Sequence, residues 1–144
     1  KVLDIGCAKG FLVKDLMSVC SGLDVFGLDI SEYALAQCEP EVAGRVIRGN
    51  ASHLPFKDNS FRVAISINTV HNLERELCVR AIREMQRVAP QGGYLQVDSY
   101  RTAEERERFM KWVLTAKTHY NPEGWQTLFK EAGYTGDYYW TITE

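Results

Sequence analysis

A short apolar strand, a tight turn and a helix follow one another in Val2-Leu3-Asp4-Ile5-Gly6-Cys7-Ala8-Lys9-Gly10-Phe11-Leu12. Val2, Leu3 and Ile5 read as a buried strand. Gly6, Ala8 and Gly10 put small residues where a backbone must turn sharply and let a ligand come close. Phe11, Leu12, Leu16 and Val19 then recur at helical spacing. A strand, a small-residue turn and a helix N-terminus together form a cradle for a nucleotide.

The same alternation continues along the chain and predicts a single α/β domain over residues 1–144 with a mostly parallel sheet. A second strand is expected at Val25–Asp29, and Ser31 is placed to cap a helix carrying Ala34, Leu35 and Cys38. Val46-Ile47 is a short third strand, and Phe61 to Ile67 a fourth, apolar on both faces as central parallel strands are. Leu77, Ala81, Ile82, Met85 and Val88 mark a helix that stops before Pro90, and Tyr94 to Val97 follows as a strand ending at Asp98. Thr102 and Glu105 have the form of a capping box, opening a helix with Phe109, Trp112, Val113 and Ala116 on one face. Asn121-Pro122 begins another, striped by Trp125, Leu128, Phe129 and Ala132 and ended by Gly133. Tyr138 to Thr143 is the last expected strand. Because Lys1 leads straight into a strand expected at the sheet centre, a preceding segment is also expected.

Charge and cysteine usage narrow the function. A net charge of −2 gives no electrostatic footprint for nucleic acid, and no apolar run approaches the roughly 20 residues that span a bilayer. Cys7, Cys20, Cys38 and Cys78 are scattered, with no metal-ligand spacing. They read as buried free thiols of a reducing compartment, which points to the cytoplasm.

In such a sheet a ligand lies beyond the carboxyl ends of the strands. Four strand ends carry polar or small residues: Gly6 to Gly10, Asp29, Gly49-Asn50-Ala51, and Asn68-Thr69-Val70-His71-Asn72. Asp29 is placed to accept hydrogen bonds from ribose hydroxyls. The turn is not a dinucleotide fingerprint: G-x-G-x-x-G/A needs a small third residue, and Val13 stands in its place.

Four segments carry a family resemblance: Val2 to Leu12, Gly27-Leu28-Asp29-Ile30-Ser31, Gly49 to Phe61 (with Leu54-Pro55-Phe56 and Ser60-Phe61 inside it), and Arg87-Val88-Ala89-Pro90-Gln91-Gly92-Gly93. In order and spacing the chain resembles a class I S-adenosylmethionine-dependent methyltransferase of the methyltransferase type 11 group. The resemblance implies a Rossmann-like methyltransferase fold, a three-layer α/β/α sandwich whose complete members have seven strands with the last antiparallel. It implies S-adenosyl-L-methionine as cofactor. Position by position, Asp4, Gly6, Ala8 and Gly10 match the motif that wraps the methionine and ribose portions. Asp29 matches the ribose-binding acid and Ile30 the apolar residue beside adenine. Asn50 and Ala51 match the pair that reaches the adenine edge, and Asn68 borders the methionine end. Ala8 replaces the usual glycine. Arg62 stands where the pattern has an aspartate, a change expected to act only locally.

Methyl transfer from a sulfonium needs alignment of the nucleophile and exclusion of water, and needs a base only where a proton must leave. His71 is the candidate base, since it follows the fourth strand and titrates in the useful range. Asp98 and Tyr100 are weaker candidates for substrate contact, and His53 and His119 read as surface residues. The expected partner is a small-molecule methyl acceptor, with no nucleic acid and no membrane. The rivals are a non-catalytic relative that keeps the cofactor site, and a NAD(P)-binding oxidoreductase, which the turn spacing disfavours.

Overall fold

The computed structural model describes residues 1–142. Six strands, β1 (Val2–Ile5), β2 (Val25–Asp29), β3 (Val46–Arg48), β4 (Val63–Ile67), β5 (Gly93–Ser99) and β6 (Asp137–Ile142), form one sheet. Their order is β3-β2-β1-β4-β5-β6, and every pairing is parallel. This is the expected Rossmann-like sheet. The antiparallel seventh strand of complete members is not among the described residues, and Thr143, assigned above to the last strand, lies outside them. β1 lies between β2 and β4, so the chain order reverses there, and the crevice at such a reversal is where open α/β sheets bind ligands.

Alternation along the strands sends side chains to two faces. Val2, Val25 and Val13 gather on one face with Cys7 and Val42. Leu3, Ile5, Leu28, Ala64, Leu95 and Val97 gather on the other, against Ile82, Met85, Trp125 and Leu128. The first face is covered by α1 (Phe11–Val19), the second by α3 (Arg75–Val88) and α5 (Pro122–Ala132). Two short elements, α2 (Glu32–Ala36) and a 3-10 turn at Pro40–Arg45, connect β2 to β3.

Local signals fixed the helix ends. Ser31 accepts a hydrogen bond from the Ala34 N–H, Thr102 from the Glu105 N–H, and Asn121 from the Gly124 N–H. Gly133 closes α5 in the left-handed region with φ 70°. The Glu105 carboxylate reaches back over the cap, accepting from the Arg101 N–H through Oε2 and interacting with the Thr102 backbone N–H as well.

Several helical faces differ from expectation. In α1 only Val13 is fully buried; Phe11 and Val19 are exposed, because the sheet meets this helix one residue round from the predicted stripe. Leu77 of α3 is likewise exposed, and Cys78 and Val79 are buried in its place. The helix α4 (Ala103–Trp112) stops before Val113, so the predicted stripe breaks and Trp112 stands 56% exposed. β4 begins at Val63, leaving Phe61 to pack edge-on against Phe56 with centroids 4.9 Å apart. Of the cysteines, all free, Cys7 and Cys78 are buried but Cys20 is exposed.

Arg87 ties the loop after β3 to α3. Its guanidinium donates to the carbonyls of Phe56 (2.8 Å) and Leu54 (3.2 Å) and to Asp58 (2.8 Å). It also donates to both oxygens of Glu84, at 2.7 and 2.9 Å, and the second of these accepts from the Leu54 N–H as well, at 2.8 Å. The planar fork satisfies acceptors that no ammonium could reach together. Arg87→Met is therefore expected to destabilise the fold by about 2–3 kcal/mol, read as a lower urea midpoint with an unchanged m-value.

Candidate functional site

β1 runs out into Gly6, whose N–H and that of Cys7 both donate to the Leu28 carbonyl at 2.7 and 3.1 Å. The turn that follows is left-handed three times: Gly6 at φ 84°, Ala8 at 47° and Gly10 at 80°. A Cβ at Gly6 would fall 2.0 Å from the Thr69 hydroxyl oxygen, so the loop after β4 closes directly onto this glycine. Ala8 is the strained position, since a side chain in this region costs about 1–2 kcal/mol.

Asp29 holds that strain in place. One of its oxygens accepts from the Ala8 N–H at 2.8 Å, the other from the Ser31 N–H at 2.8 Å. The carboxylate thus clasps the first turn and caps the second strand, while its remaining lone pairs stay available to a ligand. Beneath it, Asp4 is only 4% exposed. Burial, and secondarily the charge of Asp29, push its carboxyl up to about 7.

After β3, the Gly49 N–H donates to the Asp29 carbonyl at 2.9 Å and draws this strand end toward the second. The Asn50 side-chain oxygen accepts from the N–H and the hydroxyl of Ser52, at 2.9 and 2.8 Å. Asn68, at φ 50°, turns the chain sharply out of β4. A single 3-10 turn, Val70–Asn72, brings Asn72 back so that its Nδ2 donates to the Asn68 carbonyl at 3.1 Å. The Asn72 Oδ1 is buried without a hydrogen-bond partner.

These four strand ends enclose a cavity of about 340 Å³, a size typical of small-molecule sites. Gly6, Asp29, Ile30, Asn50, Ala51 and Asn68 line it together, as do Leu28, Gly49, Ile67, Thr69, Asn72 and Leu73. Asp4, Ala8 and Gly10 do not: Asp4 is buried nearby, Ala8 is held by Asp29, and Gly10 caps α1. Asn72, named above only as part of the segment after the fourth strand and given no role there, is an added residue of this wall. Its spacing of four from Asn68 was the available signal, needing only one helical turn to bring the two together.

His71 belongs to a second cavity of about 270 Å³, which shares Asn68 with the first and is otherwise lined by Asp98 and residues 112–116. Its ring is buried, and its Nδ1 accepts from the Asp98 N–H at 3.2 Å. Desolvation pushes the imidazole down to about 4, so it is neutral near pH 7 and forms no ion pair with Asp98. The Nδ1 acceptor assigns the proton to Nε2, which lies 3.7 Å from Asp98 Oδ2.

His119 is not the surface residue expected. It is partly buried against Phe109 and Tyr100, with ring centroids 5.4 and 6.3 Å away. Among the described residues no group of three His, Cys, Asp or Glu side chains could hold a metal ion, and no helix is long and apolar enough to cross a membrane.

Residues 3–97 match the family described as "Methyltransferase domain". The chain is 30% identical over 146 aligned positions to an uncharacterized protein of Haemophilus influenzae, covering 93% of this chain and 58% of that protein. It is 33% identical over 112 positions to the probable tRNA methyltransferase 9B of Mus musculus, covering 76% of this chain and 24% of that one. The chain thus spans well under two thirds of the length of these relatives. Among solved structures, the complex between the Haloferax volcanii Trm112 methyltransferase activator and a methyltransferase superposes with a TM-score of 0.70 at 19% identity, over 92% of this chain and 59% of that one. The YcgJ protein of Bacillus subtilis gives 0.68 at 19% identity, over 91% and 60%. At such identities these two likenesses speak to fold.

Proposed function

This chain belongs to the methyltransferase-domain family, and from that membership we propose that it binds S-adenosyl-L-methionine across the carboxyl ends of β1 to β4 and directs its methyl group to a small-molecule acceptor. The observation that carries this reading is the convergence of Asp29, Asn50 and the Gly6 turn on one cavity at the chain reversal.

The residues present suit that cofactor. Asp29 has two oxygens with spare acceptor capacity for a ribose diol. Ile30, 64% exposed at the rim, offers an apolar face to the adenine ring. Asn50 and Ala51 supply polar groups for the edge of the base, and the backbone of Gly6 lies open on the methionine side. The unpartnered Asn72 Oδ1 is one more acceptor on the same wall. When bound, the cofactor supplies a methyl group made electrophilic by a positively charged sulfur. The chain's own contribution is position. Asp29 fixes the Ala8 turn, Thr69 seals Gly6 from above, and Asn68 divides the cofactor cavity from the one beside it.

The relatives bear names that refer to tRNA, as above, and to sterols, as in the sterol 24-C-methyltransferase erg6 of Schizosaccharomyces pombe, 29% identical over 79 positions covering 49% of this chain and 21% of that one. The net charge of −2 favours the uncharged or small acceptor over a polyanion.

Calorimetric titration with S-adenosylhomocysteine, against NAD as comparison, tests the proposal. Micromolar binding of the first and none of the second is expected. Absence of S-adenosylhomocysteine binding to folded protein would overturn it, and binding of NAD instead would favour an oxidoreductase. Binding without turnover across acceptors would favour a non-catalytic relative.

A further inference from the structure

The second cavity holds an unusual group. The Asp98 side chain is 8% exposed, yet its Oδ1 is buried without any hydrogen-bond partner. Its Oδ2 has His71 Nε2 at 3.7 Å, beyond hydrogen-bonding distance. Among the described residues lining the cavity there is no lysine or arginine, and the rest of the wall is Asn68, His71, Trp112, Val113, Leu114, Thr115 and Ala116. Burying a carboxyl group with neither a cation nor a full set of donors is costly, and that burial holds the Asp98 carboxyl above its ordinary value. Such groups are kept where a ligand completes them. Trp112 and Leu114 are exposed apolar side chains of the same wall, 56% and 95% accessible. An apolar body would cover both, and an indole face also favours a cation.

We propose that this second cavity binds the methyl acceptor as a small apolar molecule carrying an amine, whose N–H groups donate to the Asp98 carboxylate. The word acceptor rests on the methyltransferase reading above; the binding of an apolar amine does not. Asn68 is common to both cavities, so the amine lies beside the cofactor's proposed place. His71 is then a positioning residue. Its Nδ1 lone pair is taken up by the Asp98 N–H, so it has no free acceptor for a substrate proton, and it fixes the backbone from which the carboxylate projects.

Benzylamine serves as the probe, with benzyl alcohol and benzoate as comparisons, titrated into the chain and followed by the indole N–H resonances. Trp112 reports the cavity wall. Trp125, whose Nε1–H donates to the Asp98 carbonyl at 2.9 Å, reports an intact backbone. Benzylamine is expected to shift the Trp112 resonance saturably, with a dissociation constant on the order of 1 mM, and benzoate to leave it unmoved. Asp98→Asn should weaken benzylamine at least tenfold with the Trp125 resonance in place, and Leu114→Ala, which trims the same wall and keeps the Trp112 reporter, should weaken it several-fold. No saturable shift, benzoate binding as well as benzylamine, or an Asp98→Asn variant that binds normally would overturn the proposal. Equal binding of benzyl alcohol would overturn the choice of an amine. S-adenosylhomocysteine calorimetry on the same samples separates the two failures. If it binds and benzylamine does not, only this inference falls. If benzylamine binds and it does not, the cavity remains an amine site and the methyltransferase reading falls.

Discussion

Asp29→Ala is expected to raise the dissociation constant for S-adenosylhomocysteine on the order of 100-fold or more, measured by calorimetry. Hydrogen bonds to a charged group contribute roughly 1.5–3 kcal/mol each, and a ribose diol would lose two. The variant also releases the Ala8 and Ser31 N–H groups, and Ala8 at φ 47° depends on its bond to stay left-handed. A stability loss of about 1–3 kcal/mol without ligand should therefore accompany the affinity loss. Asp29→Asn separates the two effects. It retains one acceptor oxygen, enough for one of the two backbone donors, and should fold better than the alanine variant while still binding weakly. A dissociation constant within about threefold of the parent for Asp29→Ala would remove Asp29 from the ribose site.

Asp4→Asn is expected to make the chain more stable at neutral pH and no more stable in acid. The folded carboxyl titrates at about 7, against an ordinary value of 3.8, because burial and the Asp29 charge disfavour its anion. An acid with a raised folded pKa keeps its full stability below the unfolded pKa, where both states are protonated. That stability is lost as pH rises toward the folded pKa, since only the unfolded state then ionises freely. The parent should thus fall relative to Asp4→Asn between about pH 4 and pH 7, by an amount on the order of 4 kcal/mol, and run parallel to it above. His71 acts in the opposite sense. Its lowered pKa stabilises the fold above about 6.5 and loses that contribution as pH falls toward 4. Because His71 is common to both proteins, the difference between their urea-denaturation profiles isolates Asp4. A flat difference would mean that Asp4 is already ionised in the folded chain.

What the sequence revealed follows from how local each signal is. Ser31, Asn121-Pro122 and Gly133 act within one turn of helix, and each caps where expected. The strand ends that frame the first cavity were legible because small and polar residues interrupt apolar runs at Gly6, Asp29, Asn50 and Asn68. The face of α1 was not, because Phe11 and Val13 are equally apolar and only the packing of the sheet decides between them. The spacing of Trp112 continues the stripe of Phe109, but the helix ends on it and the side chain stands exposed. The clasp between Asp29 and Ala8 spans 21 residues. No local pattern announces it, although it explains how alanine is tolerated where the motif has glycine. The orphaned oxygen of Asp98 is of the same kind: burial and partner count are properties of the assembled chain.

The position of β1 has a kinetic consequence. Its four residues are all buried, yet Val2 stands in register with both Val25 and Val63. During synthesis the strand leaves the ribosome long before its second neighbour exists, with one edge unpaired and an apolar face uncovered. Parallel pairings close long loops before any contact rewards them, which makes such sheets slow to assemble. Val2-Leu3-Asp4-Ile5 thus waits with apolar surface uncovered until both neighbours are made, and the acid within it helps to keep the waiting strand apart from its copies.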